Sequence, residues 1–212
     1  MSQDDFAFEP IRGLPERPPE GEVILWQGQP NWLRLTVDSL NVWWVLGYFI
    51  FLFVWRFISV SDLMPIGQAL LVSFPFLALA MIVTLLLMLV GYILARTTVY
   101  TITNKRVVMR IGAALTVTLN LPFTEIENAA IASSSGNFGS IAIDTKKDAK
   151  FSFLVLWPHV RSWHFKKPKP SLRCIPDASE VAEILANAAK ARLIEDKDSP
   201  KKKLQGIQAV VS

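Results

Sequence analysis

A membrane α-helical hairpin of two transmembrane helices, joined to an α+β cytoplasmic domain, is the architecture the sequence predicts. Three observations lead there: two long uncharged apolar runs, a series of short β-branched segments after them, and an amphipathic helix near the end. The 212-residue chain is 51% hydrophobic and only 19% charged, with a mean hydropathy of +0.34. Soluble globular chains carry ~25% charged residues, so the apolar excess must be concentrated somewhere. It lies between Leu40 and Ala95. Cys174 is the single cysteine, which excludes an internal disulfide and a cysteine-cluster metal site. A long polar segment precedes the first apolar run, so no cleaved signal peptide is expected.

From Ser39 to Trp55 the chain carries no charge, and apolar character continues past Arg56, which predicts a first span over about 39–58. From Leu63 to Ala95 there is again no ionisable side chain. That run exceeds the ~20 helical residues a bilayer core needs. Pro65, tolerated in a first helical turn, marks an interfacial start, and the second span is expected over about 69–95, with Pro75 able to kink it. Neither run has the polar face that a helix of a soluble bundle needs.

Basic residues flank the outer ends of the pair: Arg34 before the first span and Arg96, Lys105, Arg106 and Arg110 after the second. Both termini are therefore expected in the cytoplasm. Trp43, Trp44, Trp55 and Tyr92, together with Arg34 and Arg96, are the expected anchors at the membrane interface. Apart from Arg56, near the end of the first span and able to snorkel to the interface, the spans hold no charge, and they hold no histidine, so their interior offers neither a polar pathway nor an imidazole ligand for chlorophyll or haem. They read as an anchor or a packing surface.

The remaining charge is asymmetric. Residues 1–38 hold three arginines against seven acids, whereas residues 96–212 hold 18 Lys and Arg against 10 Asp and Glu. A basic domain below a bilayer is drawn to anionic inner-leaflet lipid by about 1 kcal/mol per basic residue near the surface. The alternative is that these residues simply solubilise the domain. Within residues 1–38, the proline-rich stretch Gly13–Gly21 reads as an extended linker and Glu22–Pro30 as a short strand closed by a turn. Trp26 and Trp32 flank that turn, as core, interfacial or partner-contacting groups.

Residues 96–194 read as an antiparallel meander with a terminal helix. Strands are expected over 97–103, 106–111, 113–120, 126–132, 138–143 and 151–156. Asp177 and Glu180 form a capping-box pattern, and Val181, Ile184, Leu185 and Ala188 repeat as one apolar helix face. Residues 195–212 are expected to be a charged, flexible tail.

Catalytic signatures are absent. Gly136-Asn-Phe-Gly139 matches a bare GxxG but sits between expected strands without a basic residue, so a β-turn is expected, and no nucleic-acid partner. His159 and His164 have no cysteine or carboxylate close by, so no metal and no cofactor is expected. The segment that stands out is Trp157-Pro-His-Val-Arg-Ser-Trp-His-Phe-Lys-Lys167. Aromatics and arginine are enriched in binding hot spots and its flanking prolines stiffen it, making Trp157, His159, Arg161, Trp163, Lys166 and Lys167 the candidate partner-binding residues. The alternative is a loop packed on its own domain.

Tyr100-Thr-Ile-Thr-Asn-Lys-Arg-Val-Val108 after a membrane hairpin resembles the bacterial pleckstrin-homology (PH) domain. More specifically, Glu20–Gly28, Leu94–Thr103, Asn120–Phe123, Leu156–His159 and Leu172–Asp177 resemble the PuhB family of photosynthetic-complex assembly proteins of purple bacteria, over about residues 12–192. The resemblance implies a non-enzymatic factor in the bacterial inner (intracytoplasmic) membrane, assembling reaction-centre subunits and core light-harvesting polypeptides. It supplies no catalytic or ligand residues. The sequence is compatible with a homo-oligomer without specifying one.

Overall fold

A computed structural model describes residues 10–113, 116–133, 137–146, 152–160 and 168–211, with the side chains of the last helix described as far as Ile194. The chain divides into two units, one of residues 31–96 and one formed by the segments on either side of it.

In the first unit, helix α1 (Trp32–Ser39) is capped by Asn31, whose Oδ1 accepts from the Arg34 N–H at 3.1 Å. Asn41 then takes a left-handed conformation (φ 50°), which breaks the helix before α2 (Val42–Ser61) begins. Helix α3 (Ile66–Thr97) starts after Pro65, whose carbonyl accepts from the Gln68 and Ala69 N–H groups, and it runs through Pro75. Both α2 and α3 are long and apolar enough to cross a membrane. Relative to the expected spans, α2 is displaced by three residues because Ser39 belongs to α1 and the left-handed Asn41 separates the two helices. The polar side chains inside α3 turn back on their own helix, Ser73 Oγ to the Ala69 carbonyl (2.8 Å) and Thr84 Oγ1 to the Ala80 carbonyl (2.7 Å).

The second unit contains two antiparallel sheets. One has the order β1-β2-β3-β4, from Ile24–Gly28, Val99–Thr103, Arg106–Ile111 and Val117–Pro122. The other has the order β5-β6-β7, from Ile126–Ser133, Phe138–Thr145 and Ser171–Pro176. The single meander expected from sequence is thus split at a 3-10 turn (Phe123–Glu125), and the strand expected at 113–120 falls at 117–122. The strand preceding the spans is part of this unit: β1 pairs with β2, placing Gly28 opposite Tyr100. The proline-rich stretch also has structure, since Leu14 is buried and Gly13 (φ +85°) sits where any Cβ would strike Val99. Glu22 and Arg106 form an ion pair at 2.7 Å that ties the segment before β1 to β3.

The expected strand at 151–156 is a short helix, α4 (Phe153–Leu156). A short apolar run does not distinguish the two states by periodicity. Helix α5 (Ala178–Val211) continues through the stretch expected to be a flexible tail, although that stretch contains Pro200 and Gly206. Its Val181, Leu185 and Ala188 are buried and Ile184 is partly buried against the common core, as the spacing predicts. Asp177 precedes it with φ 49°; its N–H donates to the Asn137 carbonyl (2.8 Å) and its carboxylate accepts from Asn137 Nδ2 (3.3 Å). The start of α5 is therefore tied to the turn before β6.

Candidate partner-binding surface

Helix α4 hands the chain to a segment that is held from inside. Trp157 is 40% exposed, but His159, two residues on, is 1% exposed. Its Nδ1 lies 2.6 Å from the Tyr100 hydroxyl and its Nε2 lies 2.9 Å from Thr98 Oγ1. The Tyr100 oxygen also accepts from the Arg173 N–H at 3.3 Å. A neutral imidazole has one donor and one acceptor nitrogen. With Tyr100 donating to Nδ1, the ring proton sits on Nε2 and goes to Thr98, and each group is paired. Burial, and secondarily the charge of Arg173, pull the His159 pKa down to about 3. Burial pushes the Tyr100 phenol well above its ordinary value. The pair is neutral throughout the physiological range.

His159 is therefore a structural group and not the surface contact expected from sequence. Its aromatic and basic neighbours in the sequence suggested exposure, but its ring completes a polar pair with β2. Its backbone carbonyl accepts from the Ser171 N–H (2.9 Å), and Val160 bridges to Pro170, so the described residues on either side of 161–167 are held together. Arg161, Trp163, Lys166 and Lys167 lie outside the described residues. Arg173 links this base to the second sheet: its guanidinium donates to the Pro158 carbonyl at 3.3 Å and it borders a cleft of about 270 Å³ lined also by Ala130, Ile131, Ala132, Ser140, Ala142 and Ser171. Trp157, Arg173 and this cleft form the described part of the candidate surface. Alternation in β6 and β7 is the sequence signal for the cleft, but β7 itself is interrupted at Cys174, which adopts φ 51° beside a register shift.

In the other unit the expected interface anchors are on the surface. Trp43, Trp44 and Trp55 are strongly exposed on α2 and Tyr92 is exposed near the end of α3. Arg96 Nε donates to the Tyr92 hydroxyl at 3.1 Å, its guanidinium 5.6 Å from the ring centre. Of the two tryptophans beside the first turn, Trp26 packs against the β-domain core, whereas Trp32 stands edge-on to Tyr92 with ring centres 5.8 Å apart. Among the described residues, no group of three or more His, Cys, Asp or Glu side chains is placed to hold a metal ion.

Two apolar helices followed by paired antiparallel sheets and a closing helix are the arrangement of a PH-like domain, and the bacterial PH domain profile matches residues 45–189. The chain belongs to the bacterial PH domain family. The match starts within α2 and ends within α5, so β1 lies ahead of the matched bacterial PH domain residues although it pairs with β2. A relative from Rhodobacter capsulatus, described as an uncharacterized 23.7 kDa protein in the puhA 5′ region, is 43% identical over 201 residues, which is 92% of each chain. No solved structure matches the chain significantly.

Proposed function

We propose that the protein is a membrane-anchored assembly factor for the photosynthetic reaction centre and its core light-harvesting complex, acting by binding subunits rather than by catalysis. The observation that carries this reading is the relative in the puhA 5′ region, similar over nearly its whole length. The family resemblance noted above to PuhB assembly proteins points the same way. In this reading α2 and α3 span the inner membrane with both termini cytoplasmic, and the basic β domain faces the anionic leaflet. Reaction-centre polypeptides dock at Trp157 and the sequence segment that follows it, which carries Arg161, Trp163, Lys166 and Lys167.

The bacterial PH domain favours a second reading, a membrane-anchored module that binds lipid head groups or signals through them. Purification in mild detergent from photosynthetically grown cells separates the two. Reaction-centre and antenna subunits should co-purify, visible by mass spectrometry and by the near-infrared absorption of the eluate. Binding of the purified protein to anionic vesicles without any pigment-protein subunit in the eluate would favour the second reading and end the first.

A further inference from the structure

We infer that α1 is an in-plane interfacial helix of the membrane unit, seated in the lipid head-group layer on the side where the chain enters and leaves the bilayer. This rests on the reading that α2 and α3 span a membrane. Helix α2, with 20 residues, is about 30 Å long and just matches the hydrocarbon thickness. Helix α3, with 32 residues, is about 48 Å long and must project beyond the hydrocarbon by several turns.

Helix α1 packs on the terminal part of that longer limb. Gly91, six residues before the end of α3, meets the Thr36 side chain so closely that no Cβ fits between them. Leu35 and Thr36 are buried in this contact region. Trp32 reaches Tyr92, and Tyr92 carries the Arg96 guanidinium. The left-handed Asn41 turns the chain between α1 and α2, so α1 does not extend the first span.

The outward side of α1 is what identifies its surroundings. Trp32 is 37% and Leu33 46% exposed, side by side at the start of the helix, with Arg34 next in sequence and Asp38 exposed toward the far end. Exposed Trp and Leu adjoining an aromatic-arginine stack is the composition of a head-group boundary, where ring bodies sit in the apolar edge and cations meet lipid phosphate. The occupant of this face is thus the phospholipid boundary layer. A protein partner is the competing outcome.

The test uses the full-length chain in liposomes of phosphatidylcholine and phosphatidylglycerol, with Cys174 replaced by Ala and an environment-sensitive fluorophore on one introduced cysteine. Leu33→Cys probes α1, Ile50→Cys probes the middle of α2, and Glu183→Cys on α5 is the aqueous control. The label at 33 should be quenched more by a lipid nitroxide near the head group than by one at the acyl-chain end. The label at 50 should show the reverse order, and the label at 183 should respond to aqueous iodide alone. If the label at 33 responds only to iodide while that at 50 is lipid-quenched, the interfacial role of α1 is wrong and the spanning hairpin stands. Protection of the label at 33 from both lipid nitroxides and iodide would put protein on this face and also overturn the inference. If position 50 is itself reached by iodide, the membrane reading fails and this inference fails with it.

Discussion

His159 performs its structural role as a neutral ring, and this makes the β domain acid-sensitive in a defined window. Folded, it takes a proton only near pH 3; unfolded, it does so near its ordinary value of 6.5. Between those values the unfolded chain binds more protons, so stability rises with pH and is lost as pH falls from 6.5 toward 3. The loss approaches about 1.4 kcal/mol per pH unit, or roughly 2 kcal/mol between pH 7.5 and 5. Denaturant midpoints for the full chain in detergent at those two pH values should show it. In His159→Gln the pH 7.5 stability should fall by about 1–3 kcal/mol while the difference between the two pH values shrinks; an unchanged difference would mean that other groups set the acid response. For the proposed docking segment, Trp157→Ala, Arg161→Ala and Trp163→Ala should each weaken capture of reaction-centre subunits by about 1–3 kcal/mol at normal abundance. A triple variant with normal capture per folded molecule would remove this segment from the docking proposal. The sequence marked this segment as unusual without separating its members. Composition cannot tell that His159 turns inward while Trp157 turns outward, because that depends on Tyr100, 59 residues away.

At the scale of elements, close backbone approaches set the tolerances. Gly91→Ala places a methyl group against Thr36, and should loosen α1 from α3 at a cost of about 1–3 kcal/mol. Faster proteolysis near residue 36 would report it, and adding Thr36→Gly should restore protection by making room. Protection lost in the single variant and not regained in the double would argue against this contact as the cause. Gly13→Ala carries a double penalty, positive φ and collision with Val99, and should lower β-domain stability by more than about 1 kcal/mol in the same denaturant assay. The apolar runs, the β-branched segments and the apolar face of α5 were legible because period and composition are local properties. Helix α4 and strand β7 were not: a four-residue apolar helix has no period to read, and β7 is irregular at Cys174. The short helix α1 was also hidden, since its apolar residues merge with those of the span that follows.

For the whole molecule, the decisive relation is the pairing of β1 with β2 across residues 31–96. Two strands in one sheet must lie in the same compartment, so in the proposed membrane reading the chain between them crosses an even number of times. The pairing thus puts both ends of the hairpin on one side, and the choice of the cytoplasmic side rests on the flanking arginines. A cysteine placed at Ser61 should be labelled from the periplasmic side and one at Ser134 only after permeabilisation. The opposite pattern would invert the protein.

That same pairing sets an order of events during synthesis. Gly28 leaves the ribosome 72 residues before its partner Tyr100. At about 5–20 residues per second, β1 waits roughly 4–15 seconds for β2 to arrive. Both apolar helices are made in that interval, and only after β2 emerges does the first sheet acquire the strand that joins β1 to β3. In the proposed membrane reading, β2 therefore arrives only after the whole hairpin has been made: a nascent chain stalled before residue 99 carries β1 unpaired, and a finished one carries it paired to β2 as the edge strand of the sheet.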